Sequence, residues 1–249
     1  MMKKRGMSSM EEYILFVQQE IDKWEKDVLK KSSLFNRLSK QTQQKVNTWI
    51  PDKVHTFISD SVKNMVKATL VGSNITTAKP SKENQSLFNR DQLLKEKLTT
   101  YRKTAIVEGA GTGAGGILLG LADFPLLLSI KMKFLFEAAR IYGFDTKQYE
   151  ERLFLLLIFQ LAFSSDEKRH ETFHLLKNWE TEKDQLTDID WHVFQQEYRD
   201  HIDLVKLFQL VPGFGAIVGA YANHNLLEQL GKTAMNVYRM RVLSMPRQI

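Results

Sequence analysis

The chain has 249 residues, 43% hydrophobic and 26% charged, the profile of a soluble globular protein long enough for one large domain or two small ones. It contains no cysteine, which excludes disulfide frameworks, thiolate catalysis and cysteine zinc sites and fits a reducing cytosol. The net charge of +6 is uneven: residues 1–107 hold 20 Lys/Arg against 11 Asp/Glu, and residues 108–249 hold 15 against 18. A basic first half suits an anionic membrane surface or nucleic acid, with a solvated basic face as the plainer reading.

The opening M-M-K-K-R-G-M-S-S-M-E-E has a basic cluster with no apolar run behind it, unlike a secretory signal. Ser8 and Ser9 ahead of Glu11 and Glu12 form a capping-box pattern that predicts a helix from near Ser9. Tyr13, Val17, Ile21, Trp24 and Val28 give it one apolar stripe. A less patterned helix follows to about Thr48, and Pro51 suits the first turn of the next, striped by Val54, Ile58, Met65 and Val66. Val71 to Asn89 is rich in turn formers and has no period, so it reads as a loop inside one domain. Residues 1–90 are thus N-terminal helices and a loop of the same bundle, and residues 91–249 form its helical core.

From Asp91 a helix is predicted to run through the glycine region to about Ala122. Gly109, Gly111, Gly113, Gly115, Gly116 and Gly120 stand there in four-residue steps, a groove without side chains into which a second backbone fits. Each glycine costs a helix roughly 1 kcal/mol against alanine, so close packing has to offset the loss. Asp123 is the expected N-cap of the next helix, with Pro125 in its first turn and Gly143 as the C′ residue. Asp145 and Thr146 are expected to cap the helix Tyr149–Phe163, whose segment Leu153–Phe163 is apolar on every face except at Gln160. Such a helix lies at the centre of a bundle or touches lipid. An acidic part, residues 166–203, fits helices near 166–179, 187–199 and 201–210.

The run V-P-G-F-G-A-I-V-G-A-Y-A-N at 211–223 opens a second glycine segment, and residues 213–227 echo residues 113–127 at an offset of 100. Gly213, Gly215 and Gly219 repeat the packing role and Asn223 repeats the cap, which predicts two glycine-faced hairpins packed about a pseudo-twofold axis. A final helix is expected from Gly231 to about Leu243. No segment alternates with period two, so the chain reads as an all-α, single-domain multi-helix bundle. The segments 109–130 and 207–227 reach spanning length but carry Asp123, Pro125 and glycines, or Pro212, Asn223, His224 and Asn225. They read as buried helices first and surface-inserting ones second.

E-G-A-G-T-G-A-G-G at 108–116, D-F-P at 123–125, Y-G-F-D at 142–145 with E-E-R at 150–152, and the 211–223 run together resemble the EcsC family, bacterial proteins linked with the Ecs ABC-transporter operon. The resemblance covers about residues 91–245. It implies a membrane or transporter context and brings no catalytic residues to transfer.

Two constellations carry other chemistry. His170-Glu171-Thr172-Phe173-His174 is a literal H-E-x-x-H, in which His170 and His174 share a helix face toward a zinc ion and Glu171 acts as general base. The polar flank Glu167-Lys168-Arg169 is unlike the floor of a metalloprotease cleft, a third ligand is lacking, and Glu180 and Glu182 come too soon to supply one. Gly111-Thr-Gly113-Ala-Gly115-Gly116 matches G-x-G-x-x-G, with Ala105-Ile106-Val107 in the place of a strand, but the residues after Asp123-Phe-Pro125 read as helix. Arg239 and Arg241, with Lys232, read as solvated, as complements to a helix dipole, or as contacts for phospholipid headgroups.

The expected function is a non-enzymatic helical protein of the cytoplasm, peripheral on the inner face of the membrane or bound to an ABC transporter. It needs no cofactor, small-molecule substrate or nucleic acid. The alternative is a zinc-dependent hydrolase through residues 170–174.

Overall fold

The computed structural model describes residues 9–30, 52–72, 85–112, 124–185 and 215–245, without the side chains of residues 52–55, 58, 105–112, 185 and 215–224. Among the described residues the chain is all-α, with no strand. Its helices are α1 (Ser9–Leu29), α2 (Asp52–Val71), α3 (Leu87–Thr112), α4 (Phe124–Tyr142), α5 (Tyr149–Phe163), α6 (Asp166–Lys177), the single turn α7 (Trp179–Glu182) with a 3-10 turn behind it, and α8 (Gly215–Ser244). No described helix is long and apolar enough to cross a membrane.

Helix α1 follows its stripe: Val17, Ile21 and Trp24 are buried and Tyr13 and Val28 half-buried. In α2 the predicted Met65 and Val66 are buried with Val62 and Thr69. Pro125 lies in the first turn of α4 as expected, where its missing N–H costs nothing; Asp123 itself lies outside the described residues. At the other end of α4, Gly143 adopts φ +93°. Its N–H reaches the Arg140 carbonyl at 3.1 Å and the Phe144 N–H reaches Ala139 at 2.9 Å, the paired bonds of a Schellman motif. Helix α5 has the predicted bounds but not the predicted cap. Its N-cap is Gln148, without a side-chain bond, while the Asp145 carboxylate accepts the Lys147 N–H at 3.0 Å in a turn of its own.

Every residue from Leu153 to Phe163 is buried, including Gln160, whose carbonyl accepts from Thr172 Oγ1 at 3.4 Å. The all-round apolar helix therefore lies at the centre of the bundle, and the reading that offered it for insertion into lipid is corrected. Around it the described core is one contiguous cluster drawn from α1 through α8.

Helices α3 and α8 share the longest interface and run antiparallel: Asp91 meets Arg239, Leu98 meets Gly231 and Arg102 meets Glu228. Helix α8 also packs on α1, α4, α5 and α6, so it serves as the axis of the bundle. It is continuous across two predicted boundaries. Asn223 has helical backbone on both sides and is not an N-cap, and Gly231 is interior, not a helix start. The break expected from the 100-residue echo is absent because α8 keeps its backbone ladder through the asparagine. Gly231 is instead a contact glycine. A Cβ there would meet Leu98 Cδ2 at 2.5 Å and Cδ1 at 2.7 Å, so the missing side chain is what lets α3 and α8 approach.

Of the predicted packing glycines, Gly109 and Gly111 lie in the last turn of α3 and Gly215 and Gly219 in the first turns of α8. Gly113, Gly115, Gly116, Gly120 and Gly213 lie outside the described residues, as do the helices expected to Thr48, at 187–199 and at 201–210. Residues 105–107 are helical, so the G-x-G-x-x-G run follows no strand and the dinucleotide reading is corrected.

Candidate functional site: two arginine clamps at one end of the bundle

The start of α3, the end of α4, the start of α5 and the end of α8 meet at one end of the molecule, and the buried charges gather there. The Asp91 carboxylate is fully buried. Its Oδ1 accepts the Tyr142 hydroxyl, and its Oδ2 accepts the Tyr13 hydroxyl at 2.6 Å and Arg239 Nε at 2.8 Å. Arg239 turns Nη1 outward to Glu20 of α1 at 2.9 Å. One carboxylate thus ties α1, α3, α4 and α8 together. Beside it, Arg90 Nη1 donates to the Tyr142 carbonyl at 2.5 Å, closing the last turn of α4.

Two residues further along α8, Arg241 makes the second clamp. It pairs with Glu151 of α5 through both carboxylate oxygens, at 2.7 and 2.5 Å, and its Nε donates to Glu180 of α7 at 2.9 Å. The guanidinium is held between aromatic faces, 4.0 Å from the Phe144 ring centre and 4.4 Å from that of Phe154. The planar fork is suited to this; a lysine would lose both the bidentate pair and the stacking.

The two clamps share a plan. Each arginine, almost wholly buried, holds one buried carboxylate of an inner helix and one carboxylate of an outer element, 43% exposed at Glu20 and 39% at Glu180. Burial by itself lowers the Arg239 guanidinium, but Asp91 and the tyrosines outweigh it and the net is upward; at Arg241 burial is outweighed by Glu151 and Glu180. Burial, then the bond to Asp91, pushes the Tyr13 hydroxyl up to about 12, and Tyr142 and Tyr238 are raised by burial first. Tyr238 stacks between Tyr142 and Phe144, at 5.1 and 5.4 Å. Its hydroxyl and the Trp179 indole N–H find no partner among the described residues. Each costs about 1–3 kcal/mol, which burying an aromatic ring of 150–250 Å² at roughly 25 cal/mol per Å² outweighs.

Arg152 completes the region. Its guanidinium donates to the carbonyls of Leu70 at 2.7 Å, Thr146 at 3.0 Å and Lys147 at 2.6 Å, fastening the end of α2 to the loop ahead of α5. The run Tyr142–Asp145 with Glu150–Arg152 is therefore the wall of this charged centre. That sequence run falls within the stretch a family model detects, residues 17–243, under the description EcsC protein family.

The chain belongs to the EcsC family. The match reaches back into α1, so the family pattern includes the N-terminal helices and not the last two thirds alone. The protein is 57% identical to Protein EcsC of Bacillus subtilis over 225 residues, 90% of this chain and 94% of that one. It is 28% identical to the uncharacterized protein YdbA of the same organism over 244 residues, covering 89% and 90%. No solved structure matches.

The sequence reading missed both clamps. Arg239 and Arg241 are not solvated and face no headgroup; only Lys232 is exposed as expected. His170 and Glu171 of the H-E-x-x-H run are engaged separately. His170 Nε2 lies 2.8 Å from the Leu29 carbonyl and caps the end of α1, Glu171 pairs with Lys168 at 2.9 Å, and His174 is exposed. No group of three potential metal ligands occurs among the described residues.

Proposed function

We propose that this EcsC-family protein is a non-enzymatic helical protein that docks on the inner face of the membrane, alone or against an ABC transporter. The observation that carries this reading is an apolar surface at the charged end of the bundle. Met10, Leu15, Phe16 and Phe88 are 47–59% exposed, and the Tyr13 ring joins Phe16 to Phe88 at 6.2 and 5.1 Å. A contiguous exposed apolar patch, as distinct from singly exposed residues, is the mark of an interaction surface.

The use of the charges supports the same reading. Asp91 and Glu151 have their oxygens taken by intrachain donors, so they hold helices together and face no substrate. Carried on at the register of Asp91 with Arg239 and of Arg102 with Glu228, Gly111 comes level with Gly219, which fits the packing role read for the glycines of both segments.

Cell fractionation combined with liposome binding tests the proposal. Recovery with membranes at low salt, or on anionic vesicles, is expected. A protein found wholly in the soluble fraction and indifferent to anionic liposomes refutes it.

A further inference from the structure

The apolar surface at the charged end is formed in advance, and the charges at its edge share one sign. Met10, Tyr13 and Phe16 follow one another at three-residue steps on α1, which makes them neighbours on the helix surface. The Tyr13 ring reaches Phe88 at the start of α3. The Tyr13 hydroxyl is tied to the buried Asp91 carboxylate, so the central ring of the patch is held in place before any partner arrives. A surface fixed in this way loses little conformational freedom on binding.

Exposed Glu12 and Glu20 stand four residues before and after Phe16, and exposed Glu11 follows Met10. Along the whole of α1 six carboxylates, Glu11, Glu12, Glu20, Asp22, Glu25 and Asp27, stand against Lys23 and Lys26 alone. The arginines nearest the patch are turned inward, Arg90 onto the Tyr142 carbonyl and Arg239 onto Asp91 and Glu20. On the two helices that carry the patch, the first exposed lysines, Lys23 and Lys95, come seven residues beyond Phe16 and Phe88.

Such an edge repels an anionic bilayer. A segment that mixes apolar side chains with Lys and Arg suits it on both counts. Its apolar groups and the stems of its basic side chains cover the rings, and its cations stack on Phe16 and Phe88 or reach Glu11 and Glu12. The inner face of a membrane displays segments of this kind, because the cytoplasmic loops of integral membrane proteins carry an excess of Lys and Arg beside their apolar spans.

We infer that the Tyr13–Phe16–Phe88 patch binds a basic, apolar cytoplasmic segment of an integral membrane protein, and that this contact, in place of lipid, holds the chain at the membrane. The inference rests on the docking reading above and names the chemistry of its partner.

The test sediments the full chain with cytoplasmic membranes of the source cells, with the same membranes after trypsin, which cleaves at exposed Lys and Arg, and with vesicles of their extracted lipid. Binding to untreated membranes is expected, and binding about tenfold weaker or less after trypsin or on lipid alone. Phe16→Ser is expected to weaken it about tenfold, and Glu11→Gln/Glu12→Gln roughly fivefold at low salt and less at high salt, each with the circular dichroism of the wild type. Lys3, Lys4 and Arg5 precede the helix in sequence. Their triple alanine variant is expected to bind at least as tightly, whereas contact with an anionic bilayer would weaken. Binding that survives trypsin, is weakened by the triple alanine variant or is untouched by the glutamine variant overturns the basic segment while membrane docking stands. Failure to bind untreated membranes overturns both.

Discussion

Removing the Asp91 carboxylate is the sharpest perturbation of the charged centre. In Asp91→Ala three donors lose their acceptor: the Tyr142 hydroxyl and Arg239 Nε, both buried, and the half-exposed Tyr13 hydroxyl, which can turn to water. A buried neutral donor left unmade costs about 1–3 kcal/mol, and breaking a buried ion pair from one side costs about 3–5 kcal/mol. The two costs overlap at Arg239, and Glu20 still neutralises part of its charge, so a loss of about 4–5 kcal/mol is expected for alanine. Asp91→Asn keeps the shape and one acceptor and loses only the countercharge, so about 2–3 kcal/mol is expected. Urea unfolding followed by far-ultraviolet circular dichroism measures both, and the alanine variant should melt roughly 10–15 °C below wild type. The double variant Asp91→Leu/Arg239→Met removes both charges and is expected to be more stable than Asp91→Leu alone. An alanine variant within about 1 kcal/mol of wild type, or strictly additive Asp91 and Arg239 effects, would refute the clamp as the anchor of this end.

The same geometry sets three further outcomes. Gly231→Ala gains about 1 kcal/mol of helix propensity but drives a methyl into Leu98, so a net loss of about 1–2 kcal/mol is expected; Leu98→Ala in the same chain should recover part of it, and additive losses would count against the close approach. Because folding raises Tyr13 from 10.0 to about 12, it binds its proton more tightly when folded. The stability this contributes is complete below pH 10 and is lost as pH rises toward 12. Tyr13→Phe should therefore flatten the alkaline fall in stability measured by urea titration, and an unchanged slope speaks against the bond to Asp91. His170→Ala is expected to lose about 1 kcal/mol with the cap on Leu29, and His174→Ala to stay within about 0.5 kcal/mol; equal losses in the two, reversed by added zinc, would restore the metal reading.

The local features of the fold were legible because their signals are local. The stripe from Tyr13 to Val28 repeats at the helical period, Gly143 supplies a positive φ at a helix end, and an all-apolar run from Leu153 has to be covered on every side. The family run around Tyr142 and Glu151 could be named without knowing what it built. The clamps were not legible, because nothing near Arg239 or Arg241 in sequence reveals a carboxylate 148 or 90 residues away. Composition favoured solvated arginines, and tertiary pairing overrode it. Asn223 misled for the opposite reason: a good capping residue is only a cap where the chain changes direction. Gly231 carried no repeat to mark it, yet it is where the two longest helices press together.

Arg239 and Arg241 leave α8 on opposite sides, since positions two apart on an α-helix stand about 200° from each other. They act as two teeth of a key cut on different edges of one shaft. Turning α8 by a single residue would pull both teeth from their slots at once, with no intermediate setting in which either fits. The phase of α8 is thereby locked by charge at one end and by the Gly231–Leu98 contact further along.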